Sequence, residues 1–387
     1  MKSRSLLMVF VLIVTVVLTT KLVEAASIHW TQSNVSGFGN ADNFGVFSLA
    51  GFSGELYAGT GNDSGAGAQL WRWNGTGAWS NVVSDGFGNT NNVRFGDLIE
   101  FNSQLYSGTQ NSVDGGQVWR SGNGSTWSPI VLPSFDPTNI EVVRFTIFDA
   151  QIYASTWSST VVHGAEIWRS STGDSGDWTR VVANGFNGDV TNKGIVSFEG
   201  FNGYLYAGTD NTVTGAEVWY SDQGTIWSQV NTDGFGDPYN WSVTLEGFGG
   251  YLYAGTYNYV NSDNPGAELW RCQVCDGTDW LQVSILKGFG DMENRAIRSL
   301  SVFNGALYAA TYNRTTGIEV WHSTDGTSWD QVNSDGFGDS NNYFTYWDTS
   351  VAAFNDGLYI GTDNRTDGGE VWHYLHRGMY LPLVMRN

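Results

Sequence analysis

"FNGYLYAGTDNTVTGAEVWYSDQGTIWSQVNTDGFGD", Phe201 to Asp237, returns in edited form all along the 387-residue chain. Within it, short runs rich in aromatic and β-branched residues are separated by Gly, Asn, Asp and Ser, the pattern of short half-buried strands joined by tight turns. A Leu-Tyr or Ile-Tyr pair ends at Tyr57, Tyr106, Tyr153, Tyr206, Tyr253, Tyr308 and Tyr359, 47 to 55 residues apart. A Phe precedes each pair (Phe52, Phe101, Phe148, Phe201, Phe248, Phe303, Phe354), and a Trp follows it (Trp71, Trp119, Trp168, Trp219, Trp270, Trp321, Trp372). In the clearest copy the strands are expected at Trp241 to Phe248, Tyr251 to Thr256, Ala267 to Arg271 and Trp280 to Val283. A four-strand unit of about 50 residues is a propeller blade.

The two ends decide how the ring closes. Trp-x7-Phe, a fourth strand with its following turn, occurs at Trp79/Phe87, Trp127/Phe135, Trp178/Phe186, Trp227/Phe235 and Trp329/Phe337, with Trp280/Phe289 one residue longer. None follows Trp372; the seventh copy is Trp30/Phe38, at the other terminus. The chain is therefore expected to be an all-β, seven-bladed propeller of four-stranded antiparallel blades. An N-terminal strand within residues 28–36 closes it and leaves no open sheet edge. The apolar column Leu49, Leu98, Phe145, Phe198, Leu245, Leu300 and Val351 should pack one blade on the next. Tyr380 offers a competing closing aromatic, but it lacks the turn Gly37-Phe38-Gly39-Asn40 that accompanies Trp30.

Residues 1–25 read as a secretory signal: Lys2 and Arg4, an apolar run from Leu6 to Leu18, then Val23-Glu24-Ala25-Ala26 as cleavage site. The propeller is placed at 26–378 and a C-terminal tail at 379–387. The expected location is outside the cell or at its surface, as a monomer. With 38 acidic against 18 basic residues and a net charge of −20, the chain would repel nucleic acid and anionic membranes. Cys272 and Cys275 are the only cysteines; in an oxidising compartment their spacing suits a local disulfide, and a zinc site would need further ligands.

The stretches "HSTDGTSWDQV" (His322 to Val332) and "YSDQGTIWSQV" (Tyr220 to Val230) resemble the Asp-box, the Ser-x-Asp-x-Gly-x-x-Trp turn of sialidase-like and other secreted propellers. Ser323, Asp325, Gly326 and Trp329 carry the likeness one residue short of the usual spacing, and Ser121, Asn123, Gly124 and Trp127 repeat it with Asn for Asp. The resemblance implies a propeller and no more, because Asp-boxes lie away from the active sites of enzymes that carry them.

A column present seven times is expected to be structural, since one catalytic site needs a residue once. By that reasoning Gln69, Gln117, Glu166, Glu217, Glu268, Glu319 and Glu370 should serve blade geometry. The rival is a multivalent lectin in which Asn62, Asn111, Asn211, Asn258, Asn313 and Asn364 join Trp and Tyr in sugar contacts. Asp237 with Asn240, Asp291 with Asn294 and Asp339 with Asn342 suit Asx turns, or a structural calcium as the one cofactor considered. Residues that break the inner-strand columns are the candidate ligand-binding set: Arg94, Asp97, Arg144, Trp241, Arg298, Tyr346 and Trp347. Arginines could grip a carboxylate or sulfate, and a Trp could stack on a sugar ring. No catalytic motif is present. The expected function is binding or scaffolding of carbohydrate or an extracellular protein. The alternatives are a glycoside hydrolase or lyase acting on anionic polysaccharide through Arg94, Asp97, Arg144 and Arg298, and a purely structural surface or matrix protein.

Overall fold

The computed structural model describes residues 29–375, apart from 161, 259–264, 284–285 and 345–349. Blade 1 is built from Gly45–Phe52, Glu55–Gly61, Leu70–Trp73 and Ser80–Val83. The next five blades repeat the order, with inner strands Arg94–Phe101, Asn139–Phe148, Gly194–Phe201, Asn240–Phe248 and Ala296–Phe303. Blade 7 comprises Val351–Phe354, Gly357–Gly361 and Val371–Leu375, and its fourth strand is Trp30–Gln32. Trp30 faces Tyr374 and Gln32 faces Trp372 in antiparallel register. The N-terminal strand thus closes the ring, and the Trp30 indole N–H is held by the Val332 carbonyl at 2.9 Å.

The hairpin between first and second strands needs a turn whose twist matches the strands, with positive φ at both central residues. Six blades meet this need with pairs such as Asn202-Gly203 (φ 51° and 83°) and Asn304-Gly305 (φ 49° and 74°). The turn leading into the next blade asks the same of an aromatic: Phe38, Phe87, Phe235, Phe289 and Phe337 all sit at φ 54–62°. Left-handed backbone costs such a residue roughly 1–2 kcal/mol. A stacking contact offsets it, as Phe87 lies 4.5 Å from Trp119 and Phe337 lies 4.7 Å from Trp372, nearly parallel.

There is no single core. Seven apolar clusters each join two consecutive blades: Tyr57, Leu70 and Val83 of blade 1 meet Phe95, Leu98 and Leu105 of blade 2, and the last cluster joins Phe354, Tyr359 and Val371 of blade 7 to Val46 and Leu49 of blade 1. The buried tyrosines reach across each junction. A Cβ added to Gly124, Gly173, Gly224 or Gly326 would collide with the hydroxyl of Tyr57, Tyr106, Tyr153 or Tyr253 in the preceding blade. That contact explains the glycine of the Asp-box-like turn. Its hydrogen bonds are those of a tight Asx turn: the Ser323 hydroxyl accepts from Gly326 N at 2.8 Å, and Asp325 Oδ1 accepts from Thr327 and Ser328 N at 2.7 Å each. In blade 5 a disulfide between Cys272 and Cys275 stands where Ser323 and Gly326 stand in blade 6.

Candidate functional site

The repeated polar columns are built into the blades. In every blade one side-chain oxygen of the Gln/Glu column accepts the amide of the Asn that precedes or opens the inner strand, at 2.6–2.9 Å from Asn43 to Gln69 through Asn342 to Glu370. The same residue accepts the indole N–H of the Trp two positions on, at 2.7–3.2 Å. Asn62, Asn111, Asn211, Asn258, Asn313 and Asn364 are all fully buried. Each donates to that leading Asn, and five of them also fold their own turn, as Asn211 Oδ1 does by accepting from Val213 and Thr214 N. The sugar contacts expected of these asparagines are thereby corrected: their side chains are buried and occupied inside the blade. Asp237, Asp291 and Asp339 likewise close Asx turns on Tyr239, Glu293 and Asn341 N, and no group of three or more metal-ligating side chains occurs among the described residues.

What varies instead is the residue between Thr and Asn at the end of each second strand: Gly61, Gln110, Trp157, Asp210, Tyr257, Tyr312 and Asp363 (Ser158 stands for Asn in blade 3). In six blades it bridges to the beginning of the next inner strand, as Gly61 does to Arg94, Gln110 to Glu141, Asp210 to Ser242 and Tyr257 to Ala296. This column therefore surrounds one end of the channel. Two clusters form there. On blades 1–3, the Arg94 guanidinium lies 4.2 Å over the Phe47 ring and 3.7 Å from Glu141 Oε1. On blades 4–7, Arg298 lies 4.0 Å over Tyr257 and 5.9 Å from Tyr312, and ring contacts continue from Trp241 through Tyr257 and Tyr312 to Tyr343. Burial pushes Asp210 up to about 7, and the Arg298 charge draws it part of the way back.

Local backbone irregularities aim these side chains. Trp241 and Arg298 each occupy a β-bulge, between Asn240 and Ser242 and between Ile297 and Ser299. Asp97 and Arg144 lie further along their strands: Asp97 Oδ2 accepts from Phe145 N of the next blade at 2.8 Å, and Arg144 donates to the Val143 carbonyl at 2.8 Å. Thus Trp241 and Arg298 share one cluster, Arg94 belongs to the other, and Asp97 takes part in joining blades. Tyr346 and Trp347 lie outside the described residues. Sequence spacing still marks their segment: Asn342 to Phe354 spans twelve positions where blade 1 spans nine, from Asn43 to Phe52.

Two further carboxylates lie on inner strands. Glu199 and Glu246, on the inner strands of blades 4 and 5, are half-buried. Glu199 accepts from Gly247 N of blade 5 at 3.2 Å; burial pushes it up to about 7, and pushes Glu246, which also feels the charge of Glu199, up to about 8.

No family model matches the chain, and no curated protein matches it. Among solved structures it is similar to an α-L-arabinofuranosidase from Fusarium graminearum at 12% identity, over 74% of this chain and 93% of that one, with a TM-score of 0.45. It is similar to an α-L-arabinanase from Penicillium chrysogenum at 11% identity, over 89% and 98% of the two chains, with a TM-score of 0.49. A Trypanosoma rangeli sialidase matches at 12% identity over 90% of this chain and 59% of that one, with a TM-score of 0.44. Likenesses this distant carry no argument about activity, and the propeller assignment rests on the strand order and ring closure above.

Proposed function

We propose that the chain, released from its signal segment, is a secreted carbohydrate-binding propeller that takes its ligand at the channel end surrounded by the variable column. One observation carries this reading: the variable residues Trp157 and Trp241, both partly exposed, collect at one end of an otherwise repeated ring, backed by the buried Asp210, Tyr257, Arg298 and Tyr312. Aromatic faces suit the C–H faces of a sugar, and charged groups beside them suit its hydroxyl or carboxyl substituents. A second reading, hydrolysis of a glycosidic bond, is favoured by Asp210, whose proton is retained to about pH 7 and could be donated to a leaving oxygen.

The test is a glycan array followed by calorimetry on residues 26–387, with and without calcium, for the native chain and Trp241→Ala. Loss of one stacking contact should weaken binding by about tenfold, equivalent to roughly 1.4 kcal/mol. A silent array, or binding indifferent to Trp241→Ala, refutes the proposal. Release of reducing ends that stops in Asp210→Asn while binding persists selects the hydrolase.

A further inference from the structure

Seven aromatic triplets line the outer rim, one at each blade junction. At the junction of blades 2 and 3, Phe135 stacks on Trp168 at 4.8 Å and meets Trp178 edge-on at 5.4 Å. In three equivalent positions the fourth-strand indole donates to a backbone carbonyl of the preceding blade: Trp30 to Val332, Trp79 to Ser33 and Trp280 to Val230. Trp178 Nε1 is buried without a protein partner among the described residues, and so is the Ser134 hydroxyl. The indole nitrogens of Trp127, Trp227 and Trp329 share that state. What singles out the 2/3 junction is a cavity of about 320 Å³ lined by Trp178 and Ser134 together with Ile130, Leu132, Phe135 and Trp168. Its lining carries no charged residue. The reason is local: Leu132-Pro133-Ser134 stands where the sister turns read Thr232-Asp233-Gly234 and Ser334-Asp335-Gly336.

We infer that this rim groove is a second ligand site, separate from the channel, for a single neutral pyranose. Trp178 and the exposed edges of the stacked Phe135–Trp168 pair supply apolar surface for ring C–H groups, with the Arg180 guanidinium 5.7 Å from the Trp168 centroid. The indole N–H is a donor and the Ser134 hydroxyl is donor and acceptor; both atoms lie buried behind the groove wall, and sugar hydroxyls are the groups that would pair with them once a small side-chain shift uncovers them. The volume lies at the small end of the ~300–1,000 Å³ range of small-molecule sites, which suits one ring. An uncharged lining in a chain of net charge −20 disfavours uronic and sialic acids. The equivalent groove at the junction of blades 6 and 7 is smaller, about 250 Å³, and its Trp30 indole is already engaged by Val332.

The experiment is saturation-transfer NMR and calorimetry on residues 26–387. The ligands are methyl α-mannopyranoside, methyl β-galactopyranoside, methyl α-fucopyranoside and sodium glucuronate. Leu132 is 52% exposed, so Leu132→Trp fills the groove mouth without removing core, while Ser134→Gly installs the sister residue. At least one neutral glycoside should bind saturably and more tightly than glucuronate. Its affinity should fall about tenfold in Leu132→Trp, fall about threefold in Ser134→Gly, and hold in Trp241→Ala, with melting temperatures confirming folded variants. Absence of saturable neutral-sugar binding overturns the inference, as does binding that survives Leu132→Trp. Binding that disappears in Trp241→Ala places the sugar in the channel, overturning this inference while leaving the channel proposal standing.

Discussion

Replacing Glu319 separates the structural role of the repeated column from any surface role. Glu319 Oε2 accepts Asn294 Nδ2 at 2.6 Å and Trp321 Nε1 at 3.0 Å. In Glu319→Ala, Asn294 keeps its bond to the Gly288 carbonyl but loses this one, and the Trp321 indole loses its acceptor. A stranded donor in a buried setting costs about 1–3 kcal/mol, so the pair costs about 2–5 kcal/mol. With an unfolding entropy near 2 cal/mol/K per residue over about 350 residues, that is a fall of roughly 3–7 °C in melting temperature. Glu319→Gln should behave differently, because Gln69 and Gln117 fill the same slot in blades 1 and 2 with the same two bonds. Burial holds the Glu319 carboxyl above its ordinary range. The stability linked to that raised value is complete below the unfolded carboxylate range and is lost as pH rises through the folded value. The amide variant has no such loss, so it should gain on the native protein between pH 4 and pH 7.5. Scanning calorimetry of native, Ala and Gln forms at both pH values tests all three statements. An Ala variant as stable as the Gln variant refutes the buried-acceptor account.

Two other perturbations follow from the same structure. Trp30→Ala removes the 2.9 Å bond to Val332 and the contact with Phe337, so the closing strand should loosen at a cost of about 3–5 kcal/mol, read as lower melting temperature and faster proteolysis between blades 6 and 7; unchanged stability would mean the ring closes otherwise. Asp210 is raised to about 7, so its contribution to stability is complete near pH 4 and lost as pH rises through 7; Asp210→Asn should flatten the decline in melting temperature from pH 5 to 8.5, leaving the part due to the other raised carboxyls, Glu199, Glu246, Glu217 and Glu319, and a slope equal to that of the native protein would disprove it.

Much of the fold was readable because every blade solves the same packing problem with the same residues at the same spacing. The missing Trp-x7-Phe after Trp372 pointed to Trp30, and Trp30 pairs with Tyr374. The site was less readable, for a physical reason. In the Thr-x-Asn turns the recurring Asn is the visible signal, whereas x is the residue that varies inside a fixed frame and, in six blades, bridges to the next blade. Glu199 and Glu246 were hidden by a different effect. Alternation along a strand suggests a solvent face, but an inner propeller strand is packed by neighbouring blades on both faces, so a polar residue there meets the channel or the next blade's backbone. Apparent glycosylation sequons mislead similarly: Asn62, Asn240, Asn313 and Asn364 are fully buried acceptors and donors of the blade frame.

The same geometry explains why individuality collects where it does. Each inner strand is pinned at one end by a buried Asn, such as Asn43, Asn240 or Asn342, and at the other by the interblade Phe, such as Phe52, Phe248 or Phe354. Seven wedges must close one ring, so the distance between the pins is fixed while the number of residues is not: nine positions in blade 1, eight in blade 5, twelve in blade 7. Both flanks of the strand are taken by adjacent blades, as Phe145 N bonding to Asp97 and Leu245 N bonding to Ser197 show. Any excess or deficit of chain between the pins must therefore appear as a bulge, and the remaining free direction for its side chain is the channel. Trp241 is bulged in the eight-position strand of blade 5, whereas Arg298 occupies a bulge that the nine-position strands of blades 1 and 4 share, at Phe47 and Val196. A repeat built this way can change its ligand without changing its frame.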